Sequence, residues 1–250
     1  METNPRLELA FNFLEYTGTS IFLTGKAGTG KTTFLRELKQ RSPKRMIVVA
    51  PTGVAAINAG GVTIHSFFQL PFGPYVPGRT EENRSGEKRF NAKFGREKIN
   101  IIRSMDLLVI DEISMVRADL LDAVSDMLCR YRDRDKPFGG VQLLMIGDLQ
   151  QLAPVVKEEE WQMLKKYYDT PYFFSSLALK EEEWGMLKDI YPSPFFFCSK
   201  ALQMVPYQCI ELTHVYRQSD SVFIHLLNKI RDNQADLATL KALNSRYIPG

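Results

Sequence analysis

The chain has 250 residues, 44% of them hydrophobic, and a formal net charge of +3. This length can bury a sizeable core, and the composition excludes disordered and fibrous proteins. Because the net charge is small, a nucleic-acid partner has to be argued from local patches.

The first apolar run, Ser20 to Thr24, is followed at once by the sequence Gly-Lys-Ala-Gly-Thr-Gly-Lys-Thr. This segment fits G-x-x-x-x-G-K-[ST], the phosphate loop, and a helix is predicted from Thr32 to Gln40. Glycines let backbone N–H groups face a polyphosphate, Lys31 reaches the terminal phosphates, and the Thr32 hydroxyl can bind Mg²⁺. We therefore predict ATP and Mg²⁺ as ligands. The predicted nucleotide-binding residues are Gly25, Ala27, Gly28, Thr29, Gly30, Lys31, Thr32 and Thr33.

Three further apolar runs have the length of strands: Met46–Ala50, Leu107–Ile110 and Val141–Ile146. They lack polar alternation, as is typical of parallel strands covered on both faces. Helical patterns lie between them, at Val54–Ala59 and Arg117–Arg132. The alternation of strand and helix predicts an α/β fold with a mostly parallel, doubly wound sheet and helices on both faces.

Glycine-rich or polar segments follow all four runs, and the last three are Pro51-Thr52-Gly53, Asp111-Glu112 and Gly147-Asp148. Since the carboxyl ends of parallel strands share one edge, we expect these segments to converge on one crevice. Asp111-Glu112 has the Walker B arrangement, in which the first carboxylate holds Mg²⁺ and the second deprotonates the attacking water. As an alternative, the pair could cap the following helix.

Hydrolysis of a triphosphate also needs a group that senses the γ-phosphate and a cation that stabilises the transition state. The candidates are Gln151, within Gly147–Val155, and Arg217, within Leu212–Gln218. Neither pattern is specific when it is taken alone.

Two segments depart from the regular alternation. Residues 70–100 are rich in proline, glycine and mixed charge, which predicts an insertion or long loop with either solvated charge or a phosphate-contacting surface. Within residues 157–203, Lys-Glu-Glu-Glu-Trp recurs at an offset of 23 residues. We interpret the repeat as a tandem duplication of a helix-then-strand unit whose aromatic residues are fold elements. An aromatic platform for nucleic acid is the alternative.

The three cysteines are widely spaced and form no C-x-x-C pair, so we expect reduced, buried thiols. No stretch has the order of a signal peptide, and no apolar run approaches the roughly 20 residues of a membrane span. We therefore expect a cytoplasmic protein without membrane association.

In order and spacing, these segments resemble the PIF family of superfamily-1 DNA helicases over nearly the whole chain. The most specific parts are Thr-Gly-Val-Ala-Ala with Ile-His-Ser-Phe, and Gly-Asp-x-x-Gln-Leu-x-Pro-Val. The resemblance implies an ATP-driven motor that moves 5′ to 3′ on single-stranded DNA, with duplex or forked DNA as its substrate. It also implies two RecA-like domains with the nucleotide in the cleft between them, and we expect a monomer.

The resemblance implies roles for individual residues. Lys31 and Thr32 would bind phosphate and Mg²⁺, and Asp111 would complete the Mg²⁺ site. Glu112 would be the catalytic base, Gln151 would couple the γ-phosphate to DNA, and Arg217 would be the arginine finger. The segments laid along the DNA backbone correspond to Pro51, Thr52, Gly53, Thr63 and His65. A structural role remains the alternative for His65.

The sequence departs from the family pattern in three ways: it lacks an early glutamine, it stops at Gly250 soon after Arg217, and it has a second copy of the Lys-Glu-Glu-Glu-Trp unit. No glutamine occurs from Met1 to Gly25, so the preference for ATP over other triphosphates stays open. We assign residues 1–206 to a RecA-like ATPase domain and 207–250 to the start of an incomplete second one, and expect its remainder beyond Gly250. Two other functions stay open: a nucleotide-dependent module that binds single-stranded DNA without unwinding, and a phosphate-loop ATPase that remodels protein.

Overall fold

The computed structural model describes residues 4–70, 75, 94–148, 196–216, 220–231 and 234–245. Its strands are β1 (Ser20–Gly25), β2 (Met46–Ala50), β3 (Val62–Thr63), β4 (Leu107–Ile110), β5 (Gln142–Gly147) and β6 (Tyr207–Leu212). They form a six-stranded sheet in the order β3-β2-β4-β5-β1-β6, and every pair is parallel. The predicted parallel sheet is confirmed.

The helices are α1 (Pro5–Tyr16), α2 (Lys31–Arg41), α3 (Gly53–Ala59), α4 (Ile64–Phe68), α5 (Arg96–Ser104), α6 (Ala118–Tyr131), α7 (Lys200–Gln203), α8 (Ser221–Arg231) and α9 (Leu237–Asn244). The described residues also form three short 3₁₀ turns, at Ile113–Met115, Pro137–Gly140 and Phe196–Cys198. No helix in the described part of the chain is long and apolar enough to cross a membrane.

Strand side chains alternate between two apolar cores, one on each face of the sheet. In β4, Leu108 and Ile110 pack in the core covered by α4, α5 and α6. Leu107 and Val109 pack in the other core, which α1 and α2 cover. All four side chains are fully buried, which explains why this strand shows no polar alternation. Helices therefore cover both faces, as predicted.

The edge strand β6 extends the sheet past the predicted domain boundary at residue 206. It pairs with β1 from Ser20↔Tyr207 to Gly25↔Leu212. Its buried Ile210 and Leu212 belong to the same core as α1 and α2, so the strand is part of the same sheet and core. The assignment of the residues after β6 to a second domain stays a prediction.

Three local predictions differ from the structure. Residues 96–100, expected to close the insertion, begin α5, because Ile102 of this helix is drawn into the core. Phe196–Cys198 form a 3₁₀ turn and not the expected aromatic strand, since Phe196 packs edge-on against Phe22 at 5.4 Å. Cys209 is exposed and not buried because it lies on an edge strand. The other residues of the insertion and of the duplicated unit, apart from Leu70, Tyr75, Phe94, Gly95 and 199–203, lie outside the described residues.

A buried carboxylate on α6 fixes the path by which the chain returns to the sheet. Asp122 accepts hydrogen bonds from the Ser199 hydroxyl, from Lys200 N (3.2 Å) and from Ala201 N (3.0 Å). It therefore binds the first turn of α7, where backbone N–H groups have no partner within the helix. This anchor leads the chain into β6.

The turn between α3 and β3 offers a test of packing against β2. A Cβ atom added at Gly61 would lie 2.3 Å from Val48 O. Gly61→Ala should therefore lower the free energy of unfolding by about 1–3 kcal/mol, as overpacking does. Urea denaturation measures this change. Gly18→Ala is the matched control, since within the described part of the chain no atom lies within 4 Å of its Cβ position. Equal losses in both variants would contradict the packing argument.

Candidate nucleotide and DNA site

The register of the sheet brings the predicted segments to one edge. Thr24 pairs with Gly147 and Ile110 pairs with Met145, so the loop after β1, the carboxylates after β4 and the end of β5 are neighbours. Ala50 pairs with Thr63 at the same edge. The structure therefore brings together the segments after β1, β2, β3, β4 and β5.

We call Gly25–Thr32 the nucleotide loop, and its shape depends on glycine. Gly25, Gly28 and Gly30 have φ angles of 150°, 80° and 93°, which side chains rarely permit. A Cβ atom at Gly25 would also lie 2.5 Å from Leu212 O. The buried Thr29 hydroxyl donates to Lys26 O (2.8 Å) and closes the turn. This curved backbone fits a polyphosphate, which needs the close approach of N–H groups.

Lys31 stands at the first position of α2, directly after the loop. Its ammonium donates to Gly25 O and to Lys26 O (3.0 Å). These two carbonyls keep the positive charge of Lys31 next to the nucleotide loop. The N-terminal end of α2 adds its partial positive charge at the same place. The loop thus offers a cation and backbone donors to an anionic ligand, and Thr32 and Thr33 are exposed beside it.

The carboxylate pair after β4 has an unusual backbone. Glu112 has φ 52° and ψ 45°, a left-handed conformation that costs a residue with a Cβ atom about 1–2 kcal/mol. Its N–H donates to Asp111 Oδ1 (3.1 Å), which helps to hold this turn. Strain of this kind clusters at functional sites.

Both carboxyl groups are half-buried, and the pKa of each is raised. Burial is the main cause for Asp111, opposed by its hydrogen bond from Glu112 N and by the charges of Lys31 and Lys39. For Glu112, burial and the negative charge of Asp111 raise the pKa, the charge of Lys31 opposes them, and Asp148 adds a further increase. The four charged groups Lys31, Asp111, Glu112 and Asp148 therefore act on one another at this edge.

We call Pro51, Thr52, Gly53, Thr63 and His65 the DNA strip, and two of its members are helix caps. Thr52 Oγ1 accepts from Ala55 N and Thr63 Oγ1 accepts from Ser66 N, both at 3.2 Å. Gly53 is exposed, and no atom of the described residues lies within 4 Å of its Cβ position. Burial lowers the pKa of the half-buried His65, as does the charge of Arg117, while Asp119 opposes both. The hydroxyl groups and Gly53 thus lie next to helix N-termini at the end of β2 and β3.

The structure adds residues that the sequence analysis did not select. Tyr216 N donates to Gly28 O (2.8 Å), and its ring lies 3.6 Å from a Cβ position at Gly30. Lys26 Nζ donates to Asn228 Oδ1 (2.8 Å). The Val215–Gln218 motif was a signal for Tyr216, whereas Asn228 had none. The chain after β6 thus contacts the nucleotide loop directly.

Two predicted catalytic residues, Gln151 and Arg217, lie outside the described residues. A cavity of about 520 Å³ occurs away from this edge, lined by Arg103, Tyr131, Arg132, Asp133, Lys136, Gly139 and Gly140. Arg132 donates there to the carbonyls of Ile102 (2.9 Å) and Gly139 (3.2 Å). The Arg132 guanidinium therefore links α5 to the turn Pro137–Gly140. We assign this cavity a structural role.

The left-handed backbone of Glu112 leads to a stability prediction. Glu112→Gly should be more stable than Glu112→Ala by about 1 kcal/mol, because only glycine adopts this conformation without steric cost. Urea denaturation of both variants measures the difference. The control is the exposed helical Glu37 of α2, where the glycine variant should be less stable than the alanine variant by about 1 kcal/mol. If the glycine and alanine variants have the same order of stability at both positions, the backbone of Glu112 is not strained.

Comparison with known proteins identifies the family. The model of the PIF1-like helicase family matches residues 9–169. The ATP-dependent DNA helicase PIF1 of Emericella nidulans is 32% identical over 240 residues, which cover 93% of this chain and 27% of that protein. The structure of a Bacteroides Pif1 helicase in complex with ADP-AlF3 and ssDNA is 39% identical with a TM-score of 0.80. The match covers 100% of this chain and 52% of the Bacteroides helicase chain.

A structure of two coordinating Pif1 helicases at forked dsDNA is also similar, with 40% identity and a TM-score of 0.79 over 97% of this chain and 51% of that one. The chain therefore spans about half the length of these solved relatives and 27% of the curated one. Its sheet is the RecA-like fold of their helicase domains. With the family model matched over more than half of its length, this chain belongs to the PIF1-like helicase family.

Proposed function

We propose that this chain is the ATP-hydrolysing part of a motor that moves on single-stranded DNA and unwinds duplex or forked DNA. The carrying observation is that the nucleotide loop, the carboxylate pair and the DNA strip lie at one sheet edge. Solved relatives in complex with ADP-AlF3 and ssDNA, and at forked dsDNA, support the same ligands.

The residues of the loop divide the work on ATP. Loop N–H groups and Lys31 bind the β- and γ-phosphates. The Lys31 ammonium then replaces its hydrogen bonds to Gly25 O and Lys26 O with bonds to phosphate oxygens. Thr32 and Asp111 would hold Mg²⁺, which neutralises part of the triphosphate charge. Glu112 accepts a proton from the attacking water, and its raised pKa makes it a stronger base than an ordinary glutamate.

The DNA strip binds the phosphate backbone without reading bases. The hydroxyl oxygens of Thr52 and Thr63 accept hydrogen bonds from helix N–H groups. Their O–H groups can still donate to phosphate. Gly53 leaves space for a close approach of the strand. Contacts of this kind position a strand and carry no sequence information.

Arg217 and Gln151 complete the proposal. Arg217 directly follows Tyr216, whose N–H binds the nucleotide loop, which supports a role for Arg217 near the γ-phosphate. Gln151 follows Asp148, whose charge acts on Glu112. An arginine finger is worth about 10³–10⁵ in rate.

Variants of the two catalytic residues test the proposal through steady-state ATP hydrolysis. Lys31→Ala and Glu112→Gln should each abolish turnover, since a general base alone contributes about 10²–10⁴-fold. Glu37→Gln on the exposed face of α2 is the control and should retain the wild-type rate. Turnover by either catalytic variant at the control rate would contradict the assignment.

The same assay with and without a single-stranded oligonucleotide separates the candidate functions. A motor should hydrolyse ATP faster when the strand is present. Lack of stimulation would favour the ATPase that remodels protein. Nucleotide-dependent binding of the oligonucleotide without unwinding of a forked duplex would favour the binding module.

The raised pKa of Glu112 predicts the pH dependence of turnover. Because the base must be ionised, kcat/KM should fall as the pH decreases through a value above 4.5, the ordinary pKa of glutamate. Asp148→Asn removes a negative charge that raises this pKa, so the acid limb should move to lower pH. Asp106→Asn, which changes an exposed ion pair with Arg45, is the control. An unmoved limb in Asp148→Asn would contradict the electrostatic account.

A further inference from the structure

Helices α2 and α3 begin at the same edge of the sheet and serve different ligand sites. Helix α2 starts at Lys31 of the nucleotide loop, and α3 starts at Gly53 of the DNA strip. The two helices are in contact, and Leu38 of α2 and Ala59 of α3 share one apolar core. Because the core is close-packed, a displacement of one helix also displaces the other.

A lysine adds a polar connection at the far ends of these helices. Lys39 Nζ, in the last turn of α2, donates to Ala59 O (2.7 Å) and Gly60 O (2.9 Å) at the end of α3. Helices leave their final carbonyls without intrahelical partners, and a cation there is favourable. Gly60 is left-handed with φ 61°, and its N–H bonds back to Ile57 O (3.0 Å), which fixes the turn that Lys39 holds.

The Lys39 charge also reaches the carboxylate pair. Burial lowers the pKa of Lys39, and the charge of Asp111 opposes this change. In return, the Lys39 charge opposes the raised pKa of Asp111. One ammonium group thus binds the end of the helix below the DNA strip and interacts with the proposed Mg²⁺ ligand.

From these contacts we propose that Lys39 is a positioning residue that couples the nucleotide site to the DNA strip. It makes α2 and α3 move as one unit, so that a change at the nucleotide loop alters the placement of Thr52 and Gly53. Without the ammonium, the helices keep their apolar contact and lose the polar connection. The two sites then respond to their ligands independently. This inference rests on the proposed function.

A second half-buried lysine provides a matched control. Lys44 Nζ donates to Leu14 O and to Gln142 Oε1 (2.7 Å). Burial lowers its pKa as it does for Lys39. Lys44 precedes β2 and therefore lies at the amino edge of the sheet, away from both ligand sites. Loss of Lys44 removes similar hydrogen bonds without touching the α2–α3 connection.

The experiment measures how strongly a nucleotide changes DNA affinity. Fluorescence anisotropy gives the Kd of labelled oligothymidylate for the 250-residue chain without nucleotide and with saturating Mg²⁺, ADP and aluminium fluoride. Coupled sites typically change each other's affinity by about 5–150-fold. In Lys39→Met this ratio should fall to within about twofold of unity. Lys39→Arg, which keeps a cationic donor, should recover most of it, and Lys44→Met should keep the wild-type ratio.

The possible outcomes separate the two levels of the proposal. A wild-type ratio in Lys39→Met overturns the role of Lys39 and leaves the proposed function standing. An equal loss in Lys44→Met also overturns it, because the effect would then be general destabilisation. A wild-type chain that shows no nucleotide dependence would contradict the proposed function and the inference together. If Lys39→Met does not fold, Lys39→Gln is used, and an unchanged ratio there counts against the proposal equally.

Discussion

Parallel pairing of strands that are buried on both faces is the constraint on which the site depends. Within β4 and most of β5 the side chains are apolar and buried, so charged groups occur only where the strands end. Because all strands run in one direction, these ends meet at the same edge. The pairs Thr24↔Gly147 and Ile110↔Met145 then set the loop opposite the carboxylates. The sheet geometry, more than any loop conformation, assembles the site.

The same constraint explains which parts of the fold could be predicted from the sequence. Continuous burial produces continuous apolar runs, so the bounds of β2 and β4 were predicted correctly and those of β1 and β5 differ by one residue. Edge strands lack this signature. β3 has two residues and β6 alternates in exposure, so both resemble loops in the sequence. The start of α1 did carry a signal, the Asn4 cap before Pro5, which the sequence analysis passed over.

The candidate site divides in a similar way. Residue types and spacing were sufficient to select Lys31, Asp111 and Glu112, because phosphate and metal chemistry restricts both. Backbone geometry could not be predicted. The left-handed conformation of Glu112 is imposed by its surroundings. The bonds from Tyr216 N to Gly28 O and from Lys39 to the end of α3 join residues distant in the sequence, and no local pattern encodes them.

The proposed contact with phosphate would place two competing demands on the threonines of the DNA strip. A helix N-cap needs a side-chain acceptor, whereas a phosphate needs a donor and no negative charge. Aspartate meets only the first demand, but one hydroxyl meets both. Thr52 and Thr63 also have extended backbones, with ψ angles of 158° and 149°, and Thr63 pairs with Ala50 in the sheet. A β-branched side chain such as that of threonine favours this extended conformation more than serine does. Each threonine therefore caps a helix and offers a donor at a single position, and Thr63 also ends β3.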